Sequence, residues 1–170
     1  MTVEAMRVED IEQVRAIELA SFETTWSPEA FTTELRHNQA AHYLVLREHG
    51  QVRGYCGIWL VADEAHVTSI AIAPDCRGRG QGKLLMLRML ELARGLGAHW
   101  VTLEVRADNH AALSMYRKFG FARVAVRKAY YQQKIDAVVM WAGNLHSQSY
   151  TRRLTDIERS LQAVTSDSCH

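Results

Sequence analysis

One segment constrains the fold of this chain more than any other. Ser69-Ile70-Ala71-Ile72-Ala73 is a short apolar run rich in strand formers, and Pro74 ends it because proline cannot continue a ladder. Arg77-Gly78-Arg79-Gly80-Gln81-Gly82 follows, and from Lys83 to Arg94 apolar residues recur at Leu84, Leu87, Met89-Leu90 and Ala93, the spacing of an amphipathic helix. Strand, glycine turn and helix thus follow one another in a single stretch. Glycine lets the turn bring backbone N–H groups close to an anion. A helix start offers further N–H groups without helical partners and the positive end of its dipole. Arg77, Arg79 and Lys83 suit the same charge. The alternative is a flexible turn with solvated arginines.

The flanking pattern sets the rest of the order. Val3–Met6 reads as an opening strand, and a helix starts at Asp10 with Ile11, Val14, Ile17 and Phe22 toward the core. Ser27-Pro28 is an N-cap serine with proline at the first helical position, so a second helix begins there and turns Phe31 and Leu35 inward. Residues 43–47, 52–62 and 65–73 read as three antiparallel strands. After the loop and its helix, Trp100–Val105 is a strand, and Asp108-Asn109 caps a helix carrying Ala112, Leu113 and Tyr116 that stops at Gly120. Two strands follow, Phe121–Val126 and Asp136–Trp141. The expected order is β-α-α-β-β-β-α-β-α-β-β, an α+β fold with a single mixed sheet flanked by helices. Residues 1–142 form one expected domain. From residue 143 to 170 an extension carries a short helix at Leu154, Ile157 and Leu161 and a frayed end from Thr165 to His170.

Composition narrows the function classes. A formal net charge of +1 over 170 residues argues against a dedicated nucleic-acid wrapper. Cys56, Cys76 and Cys169 are odd in number and unpaired in spacing, so neither a zinc site nor a disulfide framework is expected. No metal is expected. No apolar run approaches the roughly 20 residues of a membrane span, and the opening residues lack a secretory pattern, so a cytoplasmic protein is expected. A nucleotide P-loop requires Ser or Thr after Gly82-Lys83, where Leu84 stands. A dinucleotide fingerprint requires a further Gly or Ala at a place held by Lys83 or Leu85, and the loop follows a meander rather than opening a β-α-β array.

The strand Ser69–Asp75 with Arg77–Gly82 resembles the GNAT superfamily, whose hallmark is Q/R-x-x-G-x-G/A at a helix start. The resemblance is closer to its RimI group, which acetylates the N-terminal alanine of a ribosomal protein. It is carried by Leu103–Asn109, Ala112–Tyr116, Phe119-Gly120-Phe121, Tyr130-Tyr131 and Asp136–Met140, and it covers roughly residues 1 to 142. Ala129 and Ile135 depart from the Asn and the Glu-Asp usual in that group, and the tail after Gly143 has no counterpart in it.

The resemblance implies acetyl-CoA as cofactor, held by the backbones of Ile70, Ala71 and Ile72, by Arg77, Gly78, Arg79, Gly80, Gln81 and Gly82, and by Asn109. It implies Glu104 as general base and Tyr116 as general acid. Trp26, Tyr130 and Tyr131 would rim the acceptor slot, and the acceptor would be a protein N-terminus, in particular a ribosomal protein starting with alanine. Each residue has a plainer reading too: Glu104 as a surface partner of Arg106, Tyr116 as a half-buried core aromatic, Asn109 as a helix cap, and the tyrosine pair as cross-strand packing. A lysine or small-amine acetyltransferase and a non-catalytic acyl-CoA sensor remain open as alternatives.

Overall fold

The computed structural model describes residues 1–131 and 134–167, with side chains to residue 163. Strands β1 (Thr2–Ala5), β2 (Ala41–Glu48), β3 (Gln51–Val61), β4 (Glu64–Ile72), β5 (Trp100–Arg106), β6 (Ala122–Tyr131) and β7 (Ile135–Ala142) form one mixed sheet in the order β1-β2-β3-β4-β5-β7-β6. The helices are α1 (Ile11–Leu19), α2 (Pro28–His37), α3 (Gln81–Gly95), α4 (His110–Lys118) and α5 (Gln148–Asp167). The expected element order and α+β class are therefore those of the molecule.

Most of the sheet is antiparallel. The pair β4–β5 is parallel, with Glu64, Ala65 and His66 opposite Trp100, Val101 and Thr102. A parallel pair needs a crossover, and α3 supplies it. The last two strands enter in reverse: β7 pairs with β5 and β6 lies outside it.

The chain divides into two compact units. One comprises Met1–Leu60 and Thr68–Leu92, the other Val61–Val67 and the chain from Ala93 onward. In the first, Phe31 of α2 meets Tyr43 and Tyr55 edge-on, each with ring centroids 6.1 Å away. The helix start behaves as read, since Ser27 Oγ accepts from the Ala30 N–H at 3.1 Å and Pro28 opens the helix. Along α3, Leu85, Met86, Met89 and Leu90 are sealed from solvent on one stripe, each burial being worth about 1.5–3 kcal/mol.

Two expectations are corrected. Phe22 lies beyond the end of α1 and is exposed, because the helix stops at Leu19 and the chain turns away. The short C-terminal helix is instead the 20-residue α5, capped by Ser147 Oγ, which accepts from Tyr150 N–H at 3.1 Å. Thr165 to Asp167 lie in that helix; the remainder of the expected frayed end, with Cys169, lies outside the described residues.

Candidate active site

In the first unit, the glycine loop is built as the sequence requires. The Ala73 N–H donates to the Arg53 carbonyl at 2.8 Å, then Pro74–Cys76 makes one tight turn. Gly78 and Gly80 both adopt φ of 79°, a conformation that other residues enter at a cost. A Cβ on Gly78 would meet nothing within 4 Å, so glycine serves conformation there and not space. The first helical bond runs from Leu84 N–H to the Gly80 carbonyl, which leaves the N–H groups of Gln81, Gly82 and Lys83 without intrahelical acceptors.

The arginines divide their work. Arg77 turns back into its own unit, donating from Nε to the Ile72 carbonyl at 3.0 Å and from Nη2 to Ser21 Oγ at 2.8 Å. It braces the loop against the end of β4. Arg79 is exposed and Lys83 half-buried in the first turn of α3, both available to an anion. On the neighbouring strand, a Cβ on Gly54 would come within 2.9 Å of the Ala71 carbonyl and against the Ile72 side chain. Gly54 thus admits the close approach of β3 to the strand end that carries the loop, a role its sequence context did not disclose.

These residues fit the phosphate-bearing end of acetyl-CoA. The N–H groups of three consecutive residues end one helix turn beside two cationic side chains. Gln81, only 5% exposed, has a side-chain oxygen with no hydrogen-bond partner among the described residues. An amide oxygen accepts, so a buried one without a partner is costly and suits an N–H of the bound molecule and not its phosphates.

Trp26 lies in the same unit, stacked at a tilt on Phe31 (5.6 Å) and near Trp59 (6.4 Å). Its backbone N–H donates to Glu18 Oε2 at 3.1 Å, and Trp59 Nε1 and the Tyr43 hydroxyl donate to Glu34 Oε2 at 2.5 and 3.2 Å. Burial raises the carboxyl of Glu18 above its ordinary value, partly offset by the Trp26 N–H. Neither glutamate was foreseen. For Glu18 a signal existed, since position 18 continues the helical stripe of Ile11 and Val14.

In the second unit, Glu104 sits near the end of β5 with its side chain 19% exposed. Its Oε1 lies 3.1 Å from Arg127 Nη2 on β6. Arg106, which the plainer reading of Glu104 made its partner, instead forks onto Asp108 with bonds of 3.0 and 2.9 Å. The guanidinium of Arg106 lies 5.8 Å from the Tyr131 ring, that of Arg127 5.6 Å from the Tyr130 ring, and the two tyrosines meet edge-on at 5.2 Å. Burial, and then the nearby Glu104 carboxylate, hold the Tyr131 hydroxyl above its usual range. The structure therefore brings together Glu104, Tyr130 and Tyr131, with Arg127 as an unforeseen fourth member.

Asn109 is the N-cap of α4, its Oδ1 accepting from Ala112 N–H at 3.1 Å. Tyr116, two residues before the end of that helix, is 5% exposed and packs on Phe121 at 5.8 Å.

The sequence model of the acetyltransferase (GNAT) family matches residues 11–121, a span that holds the loop, Glu104, Asn109 and Tyr116. The chain belongs to the GNAT acetyltransferase family. Among GNAT proteins, a Bacillus subtilis relative named for ribosomal protein bS18-alanine N-acetylation is 44% identical over 140 residues, 82% of this chain and 93% of its own. The N-alpha-acetyltransferase RimI of Mycobacterium tuberculosis is 39% identical over 140 residues, 78% of this chain and 85% of its own. The crystal structure of the Escherichia coli ribosomal-protein-S18-alanine N-acetyltransferase superposes with a TM-score of 0.77 at 26% identity, covering 84% of this chain and 93% of that one. This GNAT protein is accordingly an N-acetyltransferase enzyme. Among its described residues no helix is long and apolar enough to cross a membrane.

Proposed function

We propose that this enzyme transfers the acetyl group of acetyl-CoA to the α-amine of a protein N-terminus, with a ribosomal protein that begins with alanine as the leading acceptor and the cytoplasm as its setting. The observation that carries the reading is the Glu104–Tyr131–Tyr130 constellation: one carboxylate beside two aromatic rings at a hairpin, in a family that acetylates amines. Aromatic faces suit a peptide backbone, and the carboxylate suits its terminal ammonium.

Acetyl-CoA supplies an activated acyl carbon and a thiolate leaving group. Its phosphates would be held by the N–H groups at the start of α3 with Arg79 and Lys83, in a loop kept in shape by Arg77, Gly78 and Gly80. Gln81, Gly82, Asn109 and the backbones of Ile70, Ala71 and Ile72 complete that side.

The chain's own chemistry is proton handling. An α-amine titrates near 7.7–8.0 and a lysine near 10.4, so a neutral nucleophile at pH 7 costs about 1–1.4 kcal/mol for the first and about 4.6 kcal/mol for the second. A single carboxylate such as Glu104, acting directly or through water, is an adequate base for the first. Tyr116 would return a proton to the departing sulfur, whose thiol titrates near 8.5. Trp26, in the first unit, is assigned to the acceptor with Tyr130 and Tyr131.

The test is a panel of acceptors assayed by release of free coenzyme A: peptides beginning with alanine, the same peptides with blocked N-termini, free lysine side chains and polyamines. Turnover confined to unblocked N-termini is expected. Preferred turnover of lysine or polyamine would replace the reading with a side-chain or small-amine acetyltransferase. Tight acetyl-CoA binding with no turnover on any arm would indicate a sensor.

A further inference from the structure

The most informative feature outside the proposed machinery is where α5 touches the rest of its unit. The family match ends at residue 121, so this helix lies beyond it. It nevertheless completes a helix inside the match.

Every α-helix ends with carbonyls that have no intrahelical donor. The end of α4 satisfies two of its own through a Schellman turn, with Phe121 N–H donating to the Tyr116 carbonyl at 3.1 Å and Gly120 N–H to the Arg117 carbonyl at 3.0 Å. Gly120 supplies the required positive φ of 85°. The next two carbonyls, Lys118 and Phe119, lie beyond the reach of that turn. Both are taken by α5: Arg153 Nη1 donates to Lys118 at 3.1 Å and the Tyr150 hydroxyl to Phe119 at 2.9 Å.

The fit is close. A Cβ on Gly120 would come within 3.2 Å of Arg153 and 3.3 Å of Tyr150. Tyr150 and Leu154, one helical turn apart, are both buried, and Phe119 is fully buried. Without Tyr150 the Phe119 carbonyl would be left without a donor in an apolar setting, a substantial penalty. Burial pushes the Tyr150 hydroxyl up to about 12, so it stays a donor throughout the physiological range. The start of α5 is itself tied down, with Arg94 Nη2 donating to Thr151 Oγ1 at 2.7 Å.

We propose that α5 is a brace for the helix that carries Tyr116, and that Tyr150 and Arg153 are positioning residues for the acetyl-transfer step. This rests on Tyr116 being the proton donor. Tyr116 is the residue whose own carbonyl forms the outer bond of the Schellman turn, so loosening the two carbonyls beyond it frees the turn that sets the direction of its side chain. Sub-ångström loss of alignment at a proton donor is enough to slow a reaction.

The experiment is a double-mutant cycle in the full chain, combining Tyr150→Phe with Tyr116→Phe, together with amide hydrogen exchange of α4 in the protein without substrates. Tyr150→Phe keeps the ring and removes only the donor. It should lower kcat by about threefold to tenfold, leave the KM for acetyl-CoA within about twofold, and speed exchange in the last turn of α4. In the Tyr116→Phe background the same change should cost nothing further in kcat. An equal loss in both backgrounds, or unchanged exchange in α4, overturns the brace while leaving the acetyltransferase reading intact. Wild-type kcat in Tyr116→Phe alone removes the proton-donor role and the brace with it. If Tyr150→Phe does not fold, Arg153→Gln in the same cycle decides by the same criteria.

Discussion

Glu104 reaches past β7 to Arg127, 3.1 Å away on β6, and not to Arg106 two residues along its own strand. The intervening residues on that path, Val139 opposite Glu104 and Ala137 opposite Arg127, are short enough to let the two side chains meet. Arg106 is held elsewhere by Asp108. The carboxylate proposed as base is therefore oriented by a residue from the outermost strand.

Glu104→Gln should keep acetyl-CoA affinity and lower kcat by about 10²–10⁴-fold, the usual contribution of a positioned base. Arg127→Gln should cost far less than tenfold and leave the unfolding free energy within about 0.5 kcal/mol, because its side chain is more than half exposed and surface pairs are weak. Steady-state kinetics with a peptide acceptor and calorimetric binding of acetyl-CoA check both. Equal losses in the two variants would contradict the assignment.

Ala129 holds a φ of 49°, the left-handed region that its Cβ disfavours. Its N–H donates to Asp136 Oδ1 at 2.9 Å, which fixes it there. Ala129→Gly or Ala129→Asn should raise stability by about 1 kcal/mol, with asparagine gaining more because it adds less freedom to the unfolded chain. Thermal unfolding of the three proteins side by side gives the order.

Burial raises the carboxyl of Glu18 above its ordinary value near 4.5, despite the Trp26 N–H. The folded protein then holds its proton more firmly than the unfolded chain, so the stability from Glu18 is full below about pH 4.5 and falls as pH rises through the raised value. Glu18→Gln should flatten the unfolding free energy across that window and bring it level with or above the wild type at pH 7. Denaturant titrations from pH 4 to 7 read this directly.

Gly54→Ala should destabilise by about 1–3 kcal/mol through the clash with the Ala71 carbonyl and the Ile72 side chain. Because the same strand end carries the glycine loop, acetyl-CoA affinity should fall as well. Chemical denaturation and cofactor titration measure the two effects separately. Loss of stability with unchanged affinity would mean that the loop is independent of this packing.

Much of the molecule is legible in its sequence because the signals are local. Ser27 and Asn109 are helix caps at sight, and each makes the bond to the third residue onward that its side chain allows. The glycine loop announces itself through spacing, and its φ values follow from it. Phe22 and the length of α5 depart from the sequence expectation for the same reason: apolar spacing alone marks neither where α1 stops nor how far polar residues extend a helix once one face is anchored by Tyr150 and Leu154.

Sequence alone determined the element order and the strand, glycine turn and helix in succession, since propensity, capping and spacing act within a few positions, whereas Glu104 and Tyr116 stand out only through the resemblance to the GNAT family. Only the tertiary structure decided their partners. Arg127 reaches Glu104 because β7 enters the sheet between β5 and β6; Arg77, though exposed like Arg79, is tied to Ile72 and Ser21; and Tyr150 and Arg153 cap a helix 31 and 35 residues before them. Such pairings join residues whose separation along the chain carries no periodic signal, so they exist only once packing has set the distances.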